Sequence, residues 1–141
     1  MQPNSDWLAD FAQRYTAAWC SGNPESVAAF FSANGCLTIN NGTRAIGRSE
    51  IMAVAGSFMT TFPDLTVAMD DLRIELDGAK YNWTLTGTHT GPGGTARKVH
   101  IGGFERWRIG EDGLIASSDG RFDAVEYQRQ MTGEPSPVTE G

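Results

Sequence analysis

A chain of 141 residues, 40% hydrophobic and 20% charged, has the length of one domain with a substantial core and the composition of a globular protein. Its 17 acidic and 11 basic side chains leave a net charge of −6, and the close basic pairs Arg97-Lys98 and Arg106/Arg108 are too sparse to track a phosphate backbone, so no nucleic-acid partner is expected. No apolar run approaches membrane-spanning length and MQPNSDW lacks a basic, apolar leader, so no membrane partner is expected and the location should be cytoplasmic.

In chain order, Trp7, Leu8, Phe11, Tyr15, Ala18 and Trp19 recur at helical spacing and predict a helix over about 6–20 that Gly22 ends. Asn23-Pro24 then caps and opens a short second helix, with Val27, Phe30 and Phe31 as its buried side. Segments 36–39 and 43–46 flank Asn40-Asn41-Gly42, a hairpin signal. Ser49 is the expected cap of a third helix reaching about Thr61, and Phe62-Pro63-Asp64 stops it. Cys20 and Cys36 lack metal-ligand spacing, so two buried free thiols and no metal site are expected.

Beyond residue 64 the period switches to two. Leu65, Val67 and Met69, then Leu72, Ile74 and Leu76, predict one strand bulged near Asp70-Asp71. Asp77-Gly78 turns it into a return strand through Tyr81, Trp83 and Leu85. Pro92-Gly93-Gly94 leads to a strand over 99–109, and Glu111-Asp112-Gly113 to one over 114–122. A final helix spans about 123–131, and the polar residues 132–141 are expected to form a disordered tail. Helices first and an antiparallel meander afterwards mean an α+β domain, over 1–131, whose curved sheet wraps the N-terminal helices.

Several residues mark a resemblance: Phe62-Pro63-Asp64-Leu65 before the first long strand, Trp83-Thr84 leading to Gly87-Thr88-His89-Thr90-Gly91, and Gly113-Leu114-Ile115 after a Phe/Trp-Arg strand. With these, the chain resembles the SnoaL-like (polyketide cyclase-like) family of the NTF2-like, or cystatin-like, superfamily across roughly residues 5–131. The resemblance implies a cone-shaped cavity between sheet and helices, no cofactor and no metal, a small hydrophobic molecule as ligand, and a homodimer formed through the sheet face. It also implies an aspartate acid/base on the last strand, where relatives carry a Glu-His-Trp-Asp-like segment. Here Asp123 takes the terminal aspartate position and Asp119 the usual tryptophan position.

The candidate catalytic residues are Asp119, Glu105 and His89. If Ile115 points inward, period two sends Ser117, Asp119, Arg121 and Asp123 to the same side, and a carboxylate in an apolar cone has its pKa raised towards neutrality. The alternative for Asp119 is an edge aspartate paired with Arg121. Glu105 shares its alternation with Val99, Ile101, Trp107 and Ile109, which makes it a pocket acid or one member of a buried pair with Arg121 or Arg106. His89 ends the Trp83-Leu85-Gly87 face, as a proton shuttle or as a hydrogen-bonded strand end. Asp123 and Glu126 fit a capping box for the last helix, which explains Asp123 without chemistry. Tyr15, Trp19, Phe58, Phe62, Trp83, Trp107 and Arg121 are the expected pocket residues.

Two functional readings follow. One is a cofactor-independent isomerase, cyclase or lyase acting by carboxylate acid-base chemistry on a carbonyl-bearing molecule. An epoxide-hydrolase variant of it would place Asp119, Arg121 and Asp123 around a water. The other is a non-catalytic ligand-binding or dimeric interaction module.

Overall fold

A computed structural model of the chain describes residues 5–132. Three helices and a two-stranded excursion come first: α1 (Ser5–Cys20), α2 (Pro24–Ala28), β1 (Phe31–Ile39), β2 (Ala45–Ile46) and α3 (Arg48–Thr61). The long meander β3 (Thr66–Glu75), β4 (Gly78–Thr88), β5 (Lys98–Ile109) and β6 (Ile115–Phe122) follows, and α4 (Ala124–Thr132) closes the described chain. The six strands form one mixed sheet in the order β2-β1-β6-β5-β4-β3, in which β1 runs parallel to β6 and every other pair is antiparallel.

The amphipathic pattern of α1 explains its position. Leu8, Phe11, Ala12, Tyr15, Ala18 and Trp19 lie on one face and are all buried, facing Phe31, Tyr81, Trp107 and Ile115 of the sheet. The rings interlock edge to face: Tyr15 meets Trp107 at 5.1 Å and Tyr81 at 5.5 Å. Phe62, past the end of α3, packs beneath β4. Gly87 makes this possible, since a Cβ there would stand 2.8 Å from the Phe62 Cβ.

Most expected elements are present with end shifts of a residue or two, and the bulge at Asp70 appears as a register shift between Met69 and Asp71. Asn23 caps α2, its Oδ1 accepting the Glu25 N–H at 3.0 Å. Five details differ. Ser49 is not a cap: α3 begins at Arg48 behind Gly47, which has φ 88° and offers no side chain. Phe31 belongs to β1, not to α2, because the helix ends at Ala28. Cys20 is exposed and Cys36 half-buried; on β1, Cys36 alternates with the buried Leu37 and pairs with Ser117, so it lies on the opposite face of the sheet. The capping box is half-formed: Asp123 Oδ1 accepts the Glu126 N–H at 3.0 Å, whereas the Glu126 carboxylate turns to Arg129 and Gln130. Those donors hold its pKa down to about 2. Thr132 ends α4, and the rest of the expected disordered tail lies outside the described residues.

The fifth difference matters most for function. On β5 the partners Arg108 and Ile109 are adjacent, but on β6 they face Ser117 and Ile115. Ala116 is the extra residue of a β-bulge. A single inserted residue inverts the faces of everything beyond it. Ile115 and Ser118 are therefore both buried, and Gly120 follows them inward, while Ser117, Asp119 and Arg121 turn to the outer surface.

Candidate active site

Under the helices, the concave face of the sheet leaves a narrow cleft, open to solvent, with a cavity volume of about 60 Å³. Trp19, Phe58, Tyr81, Trp83, Phe122 and Tyr127 supply its aromatic walls, and Leu37, Ile39, Val67, Leu85 and Ile101 its aliphatic ones. One acid, Glu105, completes the lining with Gly120; no Lys, Arg or His is among these residues. Apolar walls with a few polar groups are the usual make-up of a small-molecule site.

Glu105 reaches this position because β4 and β5 pair without interruption from Gly78↔Arg108 to Thr88↔Lys98, so strict alternation brings Ile101, Gly103, Glu105 and Trp107 to the concave face. Its cross-strand partner on β6 is Gly120, which leaves space beside the carboxyl. Oε1 accepts three hydrogen bonds, from the Tyr15 hydroxyl at 2.8 Å, the Ser118 hydroxyl at 2.8 Å and the Trp107 indole N–H at 3.0 Å. Oε2 receives only a longer share of the same Tyr15 hydroxyl, at 3.1 Å. One oxygen is thus saturated by the protein and the other is left with lone-pair capacity at the edge of the cleft.

No cation compensates this carboxyl; each ion pair among the described residues joins other, partly exposed side chains. Burial therefore raises the Glu105 pKa above its ordinary value, and the hydrogen bonds from Trp107, Ser118 and Tyr15 offset only part of that. Tyr15 is fully buried, and its own pKa is raised well above 10, first by burial and then by the neighbouring Glu105 charge. Tyr15 hence stays a neutral donor. The Trp19 indole N–H is directed at the Tyr15 oxygen and opposes that rise, although its geometry falls short of a well-formed hydrogen bond. Tyr81 is held from behind: Thr16 donates to the Ala12 carbonyl at 2.8 Å, so in its 2.6 Å contact with Thr16 the Tyr81 hydroxyl is the donor.

Of the expected site residues, Glu105, Trp19, Phe58 and Trp83 line the cleft, and Tyr15 and Trp107 stand behind Glu105 as its donors. The other four lie elsewhere. Asp119 is on the outer face because of the Ala116 bulge, its side chain 51% exposed and ion-paired with Arg121 at 3.1 Å. Arg121 is outside with it and also donates to Asn41. His89 follows the last residue of β4, so the alternation that ran through Gly87 no longer applies. Its backbone pairs with Ala96 and Arg97, and its ring faces Thr95 and Phe62. Phe62 is core beneath Gly87.

Sequence reasoning missed Ser118, which the bulge turns inward, and the contributions of β1 and α4. Leu37 and Ile39 come from the strand parallel to β6, and Tyr127 from α4. Gln130 pins that helix to β5 by a pair of hydrogen bonds to the His100 backbone, at 2.6 and 3.0 Å. The half-buried Tyr127 ring packs on Phe122 at 5.3 Å and on Phe62 at 6.4 Å. No group of three or more His, Cys, Asp or Glu among the described residues is placed to hold a metal ion, and no helix there is long and apolar enough to cross a membrane.

Residues 9–131 match the model of the SnoaL-like polyketide cyclase family. Solved structures share the fold at low identity. TsrD from Streptomyces laurentii is 23% identical, with 94% of this chain and all of that one covered at a TM-score of 0.81. A putative SnoaL-like polyketide cyclase from Jannaschia sp. CCS1 is 15% identical, with 96% and 100% covered at 0.80. A hypothetical protein of ketosteroid isomerase-like fold from Catenulispora acidiphila, in complex with trimethylamine, is 17% identical, with 93% and 98% covered at 0.78. Comparison with curated proteins returns no match.

Proposed function

The chain belongs to the SnoaL-like polyketide cyclase family, and from that premise we propose that it is an enzyme moving a proton on a small, hydrophobic, carbonyl-bearing molecule, with Glu105 as the acid-base group. The observation that carries this reading is the Glu105 carboxyl itself: buried in an apolar cleft, without a cationic partner, and with one oxygen saturated while the other is not. Burial makes ionisation costly, so the carboxyl releases and regains its proton nearer to neutral pH than an exposed glutamate does. Tyr15, Ser118 and Trp107 fix the rotamer and leave Oε2 to meet the substrate.

In the forward step ionised Glu105 takes the proton from the carbon α to the carbonyl, and the electron pair of that C–H bond moves into the enolate. Return of the same proton to a different carbon completes an isomerisation. Alternatively the enolate carbon attacks a second carbonyl of the same molecule, and protonated Glu105 supplies the proton to the new alkoxide, which completes a cyclisation. Both balance with one carboxyl acting in turn as base and acid. An Asp119-Arg121-Asp123 arrangement around a water does not fit, since none of the three lines the cleft: Asp119 pairs with Arg121 and Asp123 caps α4.

A second reading, capture of an alkylammonium ion, draws on the same unpaired carboxyl among aromatic rings and on the trimethylamine bound by the C. acidiphila protein. A counter-ion site works by holding its acid ionised, however, and Glu105 is biased the other way. Pairing of two copies through the outer sheet face remains a proposal; Phe104 stands there with Lys80 over its ring at 4.5 Å, and the mass in solution tests it.

Deuterium uptake α to the carbonyl tests the main reading, with bicyclic and aryl ketones incubated in D2O. The wild-type protein should exchange at least one of them and Glu105→Gln none. Equal exchange by the two proteins, or none by the wild type, would remove Glu105 from the chemistry.

A further inference from the structure

Glycine is a poor strand residue, because it gives up more chain freedom on folding than alanine and brings no side chain to pack. Most glycines on these strands have a steric reason to be there. A Cβ at Gly35, Gly78, Gly87 or Gly103 would stand under 3.0 Å from Ile115, Trp107, Phe62 or Arg121 respectively. Gly102 has room for a Cβ but lies exposed on the outer face. Gly120 is different: it is buried, it lines the cleft, and it too has room. A Cβ there would touch the Thr38 carbonyl oxygen at 3.5 Å, Glu105 Cγ at 3.7 Å and Ile39 Cγ1 at 3.7 Å, all ordinary contacts. Its φ is outside the left-handed region, and its pairing with Glu105 on one side and Ile39 on the other is regular, the bulge of β6 lying at Ala116. Neither backbone conformation nor packing therefore calls for a glycine.

The missing side chain leaves a hole the size of one methyl group in the cleft wall, bounded by Ile39, Glu105 and the β1 backbone. The Glu105 carboxyl does not fill it. Oε1 is drawn towards Ser118 and Trp107, which face each other one step further along β6 and β5. A strand glycine with room beside it marks a place where a ligand approaches the backbone closely. In a cleft of about 60 Å³, one methyl group decides what fits.

We infer that Gly120 is a specificity-determining residue: the hole above it receives a substituent on the carbon whose proton Glu105 moves. The inference rests on the proposed function in taking Glu105 as the acid-base group, and it narrows the substrate to a molecule branched at its reacting carbon. A carbon brought against the carboxyl also stands beside the hole, which begins 3.7 Å from the Glu105 Cγ. A methyl group or ring branch on that carbon then drops into the hole while the C–H bond faces the acid. An unbranched molecule leaves the hole empty and forfeits those contacts. Alanine at this position would close it.

Two ketones that differ by one methyl group test this: α-tetralone, with a methylene next to its carbonyl, and its α-methylated form, branched there. Titrated calorimetrically into the wild-type protein, the branched ketone should bind about fourfold more tightly, the effect of burying one methyl group. Gly120→Ala should reverse that preference, weakening the branched ketone about tenfold relative to α-tetralone, as overpacking does. The variant should unfold at the same urea concentration as the wild type or at a higher one, since alanine fits the site and leaves the unfolded chain less freedom. On the wild-type protein, an NMR cross-relaxation signal should join the ketone's methyl protons to the Gly120 α-protons, a result independent of the variant. Weaker wild-type binding of the branched ketone, an unchanged preference in Gly120→Ala, a lower urea midpoint, no binding of either ketone, or no signal between the methyl group and Gly120 would each overturn the assignment. Failure of the underlying reading looks different: Glu105→Gln would then exchange deuterium as the wild type does, while the preference for the branched ketone and its reversal in Gly120→Ala persisted.

Discussion

Replacing Glu105 by Gln tests the electrostatics of the site without reference to any substrate. The amide carbonyl can occupy the Oε1 position and keep the hydrogen bonds from Tyr15, Ser118 and Trp107. In acid, where Glu105 is neutral, the substitution should therefore cost no more than about 1 kcal/mol. Three donors favour the ionised over the neutral carboxyl by about 1 kcal/mol each, about 3 in all. Burying a lone carboxylate costs several kcal/mol. Burial wins, which is the direction of the Glu105 pKa, raised from 4.5. Because the native state then holds this proton more tightly than the unfolded chain, the protein loses stability as pH rises from the ordinary glutamate value through the raised one, and above it the loss is complete.

Glutamine cannot ionise, so relative to the wild type the variant should gain about 1.4 kcal/mol for each tenfold by which burial favours the protonated carboxyl. Urea unfolding of both proteins, followed by tryptophan fluorescence at steps from about pH 4 to about pH 8, measures the difference. A difference that does not change with pH, or one that favours the wild type increasingly as pH rises, would refute the reasoning.

Tyr15→Phe removes one of the donors that hold the Glu105 pKa down, so it should move the acid limb of a pH–rate profile to higher pH, as deuterium-exchange rates across pH would record. Asp119→Ala breaks an ion pair whose side chains are 51% and 41% exposed; it should cost at most about 0.5 kcal/mol in urea unfolding and leave exchange activity unchanged. Asp123→Ala removes the N-cap of α4 at a cost of about 1 kcal/mol. Since α4 brings Tyr127 to the cleft wall, weaker binding of α-tetralone in a fluorescence titration should accompany that loss.

The contrast between Glu105 and Asp119 shows how far a strand pattern can be read. Counting in twos from an apolar neighbour sends both to the cavity. On β5 the count is sound because pairing with β4 is unbroken across the segment. On β6 it fails at Ala116, where Ala-Ser-Ser carries no bulky apolar side chain to reveal that the register has slipped. His89 fails for a different reason: the alternation is right up to Gly87, but the strand stops at Thr88. The helical stripe of α1 identified Tyr15 and Trp19 because one helix determines its own face. Ser118, Ile39 and Tyr127 enter the cleft through pairings between distant segments, and no local spacing announces them. The resemblance to the family points to an acid on the final strand, whereas the carboxyl that lines the cleft, Glu105, sits on β5.

The central claim is that Glu105 is a cleft-facing carboxyl whose proton comes and goes nearer neutrality than an exposed glutamate's. A carboxyl-carbon NMR titration of glutamate-labelled protein, with the Glu105 signal assigned by its loss in Glu105→Gln, measures this directly. The account predicts that this one resonance titrates with a midpoint above the ordinary 4.5 and moves again when α-tetralone is added. A midpoint at or below that value, unmoved by the ketone, would contradict it.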